Sequence, residues 1–270
     1  MVRLHCANQS SPESVFMHWE KAGTVSRSLP SGERKGTMIT DVGTAIVTGY
    51  SSGLGHAIAS DLVSRGWTVV GVARRSVADI DPFPDSGLIH HVGGAVEDGV
   101  TVEKAFQTAD KIGGLKAVFN CAGRGVFGPI GTYDAYKVNE ALAGGLLGLI
   151  LFSDQAVSAF RAHAAPGIIV NIMSTAAKKY RPTESVYTAV KWGAKAYTRT
   201  LRDELKVAKE DIRVIEVYPC GMRSDFWNSA IGTTNDGSDF PFPSELSGQI
   251  VDAVLSPNAA YLQELTFERR

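Results

Sequence analysis

The sequence predicts an α/β fold in which one doubly wound parallel sheet carries helices on both faces. The first observation is that short apolar segments alternate with amphipathic segments from residue 44 onward. Such alternation is typical of β-α-β units, whose strands are parallel and buried on both sides. The second observation is a glycine-rich segment between the first apolar segment and the first amphipathic one. No internal repeat or linker interrupts residues 38–270, so they are predicted to form a single domain.

Seven strands are predicted, each from a short run of apolar and β-branched residues. In chain order they cover residues 44–48, 68–73, 88–92, 117–120, 168–173, 212–218 and 260–267. The third is the weakest, and His90 and His91 at its end are expected to be solvated rather than to bind a metal. Helices are predicted at residues 56–65, 100–111, 135–162 and 244–255, and in the segment that contains Tyr187.

Composition excludes several classes of protein. A hydrophobic content of 44% can fill a sizeable core, and a net charge of -1 predicts neither a nucleic-acid partner nor an anionic membrane surface. Cys6, Cys121 and Cys220 are widely spaced and odd in number, which indicates a reducing compartment with neither a disulfide framework nor a metal site. The longest apolar run, Ala143 to Phe152, is too short to span a bilayer. A cytoplasmic protein without a membrane partner is therefore predicted.

Residues 1–37 differ in composition from the rest of the chain. They are polar and rich in serine, and they lack the apolar core of a signal peptide. Arginines and serines would suit an organelle transit peptide, but Glu13, Glu20 and Glu33 count against one. A disordered N-terminal extension is favoured. A targeting segment, or an upstream start with Met38 as the functional first residue, stays open.

The glycine-rich segment predicts a dinucleotide site and hence a Rossmann-type sheet. Gly49, Gly53 and Gly55 lie between the first strand and the first helix, where glycines allow a tight turn and close approach of the backbone to a pyrophosphate. The free N–H groups at the start of that helix can donate hydrogen bonds to the phosphates. Ser51, Ser52 and Leu54 complete the predicted phosphate loop. A turn without a ligand is the alternative.

The end of the second strand predicts which dinucleotide is bound. An acidic residue there would accept hydrogen bonds from the adenosine ribose and indicate NAD. The chain has Arg74 and Arg75 instead, and guanidinium groups pair with a 2′-phosphate. NADP(H) is therefore the preferred cofactor, with NAD(H) possible if both arginines are ordinary surface charges.

A serine, a tyrosine and a lysine are the candidate catalytic residues. Tyr187 and Lys191 lie four apart on one helical face, and Ser174 lies thirteen residues before the tyrosine, at the end of a strand. A free phenol titrates near 10, and a nearby ammonium would lower its pKa toward neutrality, so that it could act as an acid. Each residue alone could be structural. The catalytic interpretation of the three residues therefore depends on whether the chain binds the predicted cofactor.

Together these residues resemble the short-chain dehydrogenase/reductase family over residues 42–270. Thr48 and the three loop glycines are similar to its cofactor loop, and Ser174, Tyr187 and Lys191 have its spacing. The resemblance implies three further sets of residues. They are the strand end Asn120, Ala122 and Gly123; Asn139 as a fourth catalytic residue; and Pro219, Gly221, Met222 and Ser224 around the nicotinamide. Cys121 and Cys220 depart from the family pattern, at positions where backbone contacts are expected to dominate.

The resemblance also implies the chemistry. Hydride would pass between nicotinamide and a carbonyl carbon, while Tyr187 acts as general acid or base and Ser174 binds the carbonyl oxygen. Lys191 would bind the nicotinamide ribose and lower the pKa of Tyr187, and Asn139 would hold a water. The segment after residue 223 is rich in aromatic residues, namely Phe226, Trp227, Phe240 and Phe242. They predict an apolar wall and hence an apolar ketone, aldehyde or secondary alcohol as substrate, although they could equally anchor this segment to the core.

Three further matters stay open from the sequence. The reaction could instead be NAD-dependent alcohol oxidation. The chain could also be a dinucleotide-sensing regulator without catalysis, although such a protein would be expected to lose Tyr187 or Lys191. Small residues on the helices that carry Asn139 and Tyr187 would allow close helix packing in a homodimer or homotetramer, or equally well against the sheet.

Overall fold

The computed structural model describes residues 42–224, 226–229, 237–256 and 262–269. Within them, seven parallel strands form one sheet in the order β3-β2-β1-β4-β5-β6-β7. The strands are β1 Thr44–Thr48, β2 Thr68–Ala73, β3 Ile89–Gly93, β4 Leu115–Asn120, β5 Gly167–Ile172, β6 Ile212–Tyr218 and β7 Glu264–Thr266. The direction of strand addition reverses between β1 and β4, which confirms the predicted doubly wound sheet.

The described helices connect these strands. They are α1 Gly53–Ser64, α2 Gly99–Ile112, α3 Ala135–Leu142, α4 Gly148–Ala162, α5 Ser185–Val207, α6 Phe226–Ser229 and α7 Pro243–Leu255. Helix α1 begins at Gly53, three residues earlier than predicted, and Gly53 has a positive φ of 56° at the turn into the helix. A π-helical turn, Ala143–Leu147, joins α3 to α4, so the predicted helix over 135–162 is continuous but changes its winding there.

The core has two halves, one on each face of the sheet. Adjacent strand residues point to opposite faces, so Val47 belongs to one hydrophobic cluster and Ile46 to the other. Helices α1 and α7 supply Ile58 and Ile250 to the first cluster, whereas α4 supplies Phe152 to the second. Helices therefore cover both faces, as the sequence predicts.

The helical stretch Ala135–Ala162 is also long and apolar enough to cross a membrane, judged by length and composition alone. Its hydrophobic window is 44% buried within the fold. Phe152 and Phe160 of this stretch are buried against the sheet. The helix therefore serves as a core element.

A buried carboxylate ties α5 to the last two strands. Glu216 is fully buried on β6, where its side chain accepts hydrogen bonds from Arg199 Nε at 3.0 Å and from Tyr218 Oη at 2.8 Å. Arg202 Nη2 lies 3.6 Å from the same carboxylate, and Arg199 also pairs with Glu264 of β7 at 3.2 Å. This network fixes the end of β6, from which the chain continues into residues 219–224.

Some predictions fall outside the described residues. They include the extension over residues 1–37 and residues 260–261 of the predicted last strand. The boundary between an extension and a catalytic domain at residue 38 stays a prediction.

Candidate active site

A cavity of about 1010 Å³ opens at the carboxyl ends of the strands, where doubly wound sheets bind their ligands. Its walls come from the loops after β1, β2, β4, β5 and β6. Among the residues predicted to bind cofactor or substrate, those in the wall are Gly49, Ser51, Ser52, Gly53, Leu54, Gly55, Arg74, Arg75, Ala122, Gly123, Ser174, Tyr187, Lys191, Pro219, Gly221, Met222, Ser224 and Trp227. Only Asn120 and Asn139 of the predicted set do not line it.

The glycine loop has the geometry that a pyrophosphate requires. A Cβ on Gly55 would lie 2.4 Å from the carbonyl oxygen of Gly49, and a Cβ on Gly49, whose φ is 67°, would lie 2.9 Å from the Ala122 backbone. Helix α1 follows without a side-chain cap on its N-terminus and without an acidic residue in its first turn. Its free N–H groups and positive dipole end therefore suit an anion, and these residues fit a dinucleotide.

The predicted phosphate-binding arginines lie beside this loop. Arg75 Nη1 donates a hydrogen bond of 3.4 Å to the Ser51 carbonyl oxygen. The Arg74 side chain is 68% exposed, and its Nη1 lies 3.6 Å from Oε1 of Glu140. Glu140 lines the same cavity and was not predicted from the sequence. Its position is a finding of the structure, because it comes from α3, far from Arg74 along the chain.

The segment after β4 is tied to β1. The backbone N–H groups of Cys121 and Ala122 both donate to Thr48 Oγ1, at 3.1 and 3.2 Å. These bonds hold Ala122 and Gly123 in the cavity wall. Burial raises the pKa of the Cys121 thiol to about 12, so this thiol is protonated at neutral pH.

Asn120 differs from its predicted role. It is 3% exposed and lies beneath the cavity, where its Nδ2 donates to Ser153 Oγ at 3.1 Å and to Asn171 Oδ1 at 2.8 Å. Asn171 Nδ2 in turn donates to Thr198 Oγ1 at 2.9 Å. Asn120 therefore braces β4 against β5 and α4 and does not line the cavity. Its predicted contact with the cofactor stays a prediction.

Ser174, Tyr187 and Lys191 converge as the spacing predicts. Ser174 follows β5 and lines the cavity together with Tyr187, which lies in the first turn of α5. Lys191 lies one turn further along α5 and is 6% exposed. Its Nζ donates to the Ile172 carbonyl oxygen at 2.9 Å. A substrate carbonyl in the cavity could therefore meet the serine and the tyrosine together.

The charge state of the tyrosine differs from the expectation. Burial raises the pKa of Tyr187 to about 12, against the lowering effects of the Ser174 hydrogen bond and of Arg181. Lys191 Nζ lies 5.9 Å from the centroid of the Tyr187 ring. Burial also lowers the pKa of Lys191 to about 8. In this geometry burial outweighs the effects that lower the pKa of Tyr187, so the phenol is protonated at neutral pH.

Asn139 lies outside the cavity. Its side chain is exposed on α3, beside a shallow groove lined by Leu142, Ala143, Leu146, Leu147 and Ile150. The next residue, Glu140, points into the cavity instead. One residue corresponds to about 100° around a helix, so the two side chains face different surroundings. The predicted water-holding role of Asn139 disagrees with this position.

Aromatic rings enclose the end of the cavity around Tyr187. The Phe127 ring lies 5.4 Å from the Tyr187 ring and 6.3 Å from the Trp227 ring, and Phe226 lies 5.9 Å from Tyr187. Trp227 is held by a hydrogen bond of 2.8 Å from its Nε1 to the Met222 carbonyl oxygen. We call Phe127, Tyr187, Phe226, Trp227 and Phe240 the aromatic cluster. The sequence indicated four of these residues but not Phe127.

Charged residues near the tyrosine were also missed. Arg181 Nη1 donates to Glu184 at 3.0 Å and its Nη2 donates to Thr175 Oγ1 at 3.1 Å, and all three residues line the cavity. These bonds span the connection between Ser174 and Tyr187. No sequence motif marks them. Within the described ranges no group of three or more metal-ligating side chains occurs.

The fold and this cavity define an NAD(P)-dependent oxidoreductase. A family model described as short chain dehydrogenase matches residues 43–234. The chain belongs to the short-chain dehydrogenase/reductase family, as the sequence motifs predicted.

Individual relatives agree with this assignment. The chain is 30% identical over 234 residues to a farnesol dehydrogenase from Aedes aegypti, covering 83% of this chain and 94% of that protein. It is 32% identical over 184 residues to carbonyl reductase family member 4 from Danio rerio, covering 67% and 76%. An alcohol dehydrogenase from Thermococcus sibiricus, solved in complex with 5-hydroxy-NADP, superposes with a TM-score of 0.71 at 22% identity over 85% of this chain and 99% of that one. This last likeness shows the fold.

Proposed function

We propose that the protein is an NADPH-dependent carbonyl reductase that interconverts an apolar ketone or aldehyde with its alcohol. The observation that carries this proposal is that Ser174, Tyr187 and Lys191 line the cavity that also contains the glycine loop. A hydroxyl pair in that position can bind and protonate one carbonyl oxygen.

Tyr187 is the general acid and base of the proposed reaction. A bound nicotinamide cofactor would supply the hydride to the carbonyl carbon. As negative charge develops on the carbonyl oxygen, the Tyr187 hydroxyl transfers its proton to it and Ser174 donates a hydrogen bond to it. In the alcohol-oxidising direction Tyr187 accepts that proton. A high pKa of the phenol opposes proton donation, so the proposed reaction requires the resulting phenolate to be stabilised by its neighbours.

Lys191 is proposed to stabilise that phenolate and to bind the nicotinamide ribose. Its Nζ lies 3.6 Å from the position that a Cβ on Gly123 would occupy, so the ammonium faces the segment after β4 as well as Tyr187. With a pKa of about 8, the group remains mostly charged at neutral pH. It can therefore donate hydrogen bonds to hydroxyl groups of a bound cofactor.

NADPH is favoured over NADH by the two arginines after β2. Both line the cavity next to Ser51 and Ser52 of the phosphate loop. This is the region in which a dinucleotide-binding sheet receives the adenosine ribose. Guanidinium groups there suit a phosphate on the 2′ position.

The substrate is proposed to be apolar because the aromatic cluster surrounds Tyr187. Trp227 supplies part of this wall, together with Phe127 and Phe226. A second candidate is the oxidation of an isoprenoid alcohol. It is favoured by the 30% identity to a protein named farnesol dehydrogenase over 94% of that protein's length.

A panel of substrates tests both candidates. We expect NADPH oxidation with apolar aldehydes and ketones, and we would assay farnesol with NADP⁺ and with NAD⁺ in parallel. Tyr187→Phe is expected to lower kcat by about 10²- to 10⁴-fold while NADPH still binds. The matched control is Tyr180→Phe, because Tyr180 is 78% exposed, stacks on Trp192 and lies outside the cavity.

Two results would redirect the proposal. Faster turnover of farnesol with NAD⁺ than of any carbonyl with NADPH would favour the dehydrogenase. Tight NADPH binding without turnover on the whole panel, with the biological effect retained in Tyr187→Phe, would instead identify a dinucleotide sensor.

A homodimer or homotetramer is proposed as the assembled state. Leu142 and Leu147 are 38% and 44% exposed on the groove beside Asn139, so this outer face of α3 and α4 offers an apolar surface. Light scattering at micromolar concentration tests it, and a single monomer peak would refute it.

A further inference from the structure

Glu140 connects two arginines in the wall of the cofactor cavity. Arg124 Nη1 donates to Glu140 Oε2 at 2.8 Å, and Arg74 Nη1 lies 3.6 Å from Oε1 of the same carboxylate. All three residues line the cavity, beside the glycine loop and the segment after β3. The adenosine end of the cavity therefore contains a carboxylate as well as guanidinium groups.

Glu140 brings a carboxylate to the end of β2, where the sequence itself has no acidic residue. In NAD-binding sheets an acid at the end of β2 accepts hydrogen bonds from the ribose hydroxyls. The residues that end β2 here include no acid, but α3 brings Glu140 to the side chain of Arg74, the first residue after that strand. At this position a 2′-hydroxyl could donate a hydrogen bond to the Glu140 carboxylate, whereas a 2′-phosphate could pair with the Arg74 guanidinium.

The two ion pairs of Glu140 differ in strength. Its carboxylate is 21% exposed and makes a hydrogen-bonded pair with Arg124, whose side chain is 31% exposed. The Arg74 side chain is 68% exposed, and its longer contact of 3.6 Å is of the kind that contributes little free energy. Glu140 is thus held in position by Arg124, whereas Arg74 can leave it for another anion.

We propose that Glu140 sets the balance between NADPH and NADH by competing with the 2′-phosphate for Arg74. With NADPH bound, Arg74 pairs with the phosphate, and the fixed carboxylate opposes the nearby negative charge. With NADH bound, Arg74 stays on Glu140 and the carboxylate is available to a ribose hydroxyl. This inference rests on the proposed function, because it assigns a role to the cofactor cavity described there.

The test is the ratio of the dissociation constants for NADPH and NADH, measured by fluorescence titration of the full chain. Glu140→Gln keeps the shape of the side chain and removes its charge. We expect this variant to shift the ratio toward NADPH by about three- to tenfold, as removal of one competing charge at a partly exposed site allows. When Arg74→Met is already present, Glu140→Gln is expected to change the ratio of the two dissociation constants much less than it does in the wild-type protein.

A surface pair provides the matched control. Glu210 accepts a hydrogen bond of 2.7 Å from Arg161 Nη2. This pair lies outside the cavity, on the opposite side of the fold from the glycine loop. Glu210→Gln is expected to leave the ratio unchanged. An unchanged or reversed ratio in Glu140→Gln, with the wild-type protein binding both cofactors, overturns the inference alone. A wild-type protein that binds neither cofactor overturns the proposed function instead, so the two failures are distinct.

Discussion

The ammonium of Lys191 donates a hydrogen bond of 2.9 Å to the carbonyl oxygen of Ile172, two residues before Ser174. The lysine is 6% exposed, so most of its hydration is lost on folding. Burial accordingly lowers its pKa from 10.5 to about 8. A buried charge with a shifted pKa in a cavity is consistent with the cofactor-binding role proposed for Lys191.

Lys191→Met is predicted to stabilise the cofactor-free protein at neutral pH. Because the folded pKa is about 8 and the unfolded value is 10.5, the unfolded chain binds an additional proton between these two pH values. The free energy of unfolding therefore rises with pH across this window, and the cost of burying the ammonium is fully present below about pH 8. We expect a gain of roughly 1–3 kcal/mol at pH 7, measured by urea unfolding.

The pH dependence separates this effect from packing. The advantage of Lys191→Met over the wild type is expected to shrink between pH 8 and pH 10.5, since the wild-type lysine is neutral in both states above that range. If Lys191→Met gained the same stability at every pH, or lost stability at pH 7, the buried ammonium of Lys191 would not be destabilising as predicted.

Ser174→Ala is predicted to move the pH profile of alcohol oxidation. The Ser174 hydrogen bond lowers the pKa of Tyr187, so its removal raises that pKa further. Oxidation needs the phenolate, and its rising limb is therefore expected to begin at a higher pH. Ser174→Thr keeps a hydroxyl and is expected to restore the profile. Identical profiles for wild type and Ser174→Ala would show that this hydrogen bond does not act on the phenol.

Glu216→Ala is predicted to destabilise the fold strongly. The change removes the carboxylate that Arg199, Arg202 and Tyr218 surround at a fully buried position. Breaking one partner of a buried ion pair costs about 3–5 kcal/mol. Asp252→Ala breaks an exposed pair with Arg65 and is expected to cost at most about 1 kcal/mol. Urea unfolding of both variants compares them, and equal losses would refute the distinction.

Two glycines offer a matched pair of substitutions to alanine. Gly55→Ala would place a Cβ 2.4 Å from the Gly49 carbonyl oxygen, so we expect a loss of about 1–3 kcal/mol in stability and weaker NADPH binding. A Cβ on Gly248, within helix α7, meets no atom within 4 Å. Gly248→Ala is expected to gain about 0.5–1 kcal/mol through helix propensity. Thermal unfolding with and without NADPH measures both, and normal NADPH binding by Gly55→Ala would exclude the close-approach role.

Much of the fold follows from local patterns. The apolar runs that predict β1 and β2 match their observed bounds, because buried parallel strands are largely apolar on both faces. The predicted bounds of β6 also match, although this strand carries the buried Glu216. The spacing of Ser174, Tyr187 and Lys191 brings them together for a similar reason. The serine ends a strand, and the next helix begins close to that end, so the distance along the chain determines the distance in space.

Contacts between distant elements were harder to predict. Glu140 on α3 lies beside Arg74, the residue after β2, and nothing near either residue in the sequence indicates that contact. Asn139 was assigned from a short motif on a helix whose rotation the sequence does not define, and its neighbour points into the cavity instead. The pKa of Tyr187 depends on burial by the aromatic cluster, which includes Phe127 from another loop.

The order of the strands has a consequence for how the chain reaches its folded state. β1 pairs with β2 and β4, and β4 pairs with β5. The two strands of each of these pairs are therefore separated along the chain by at least one helix. Such non-local pairings slow folding. The cavity wall includes segments that follow β1 and β6, so a nascent chain that ends before β6 holds no complete dinucleotide surface. A dinucleotide that binds only this complete surface would stabilise the folded chain over the unfolded one by mass action.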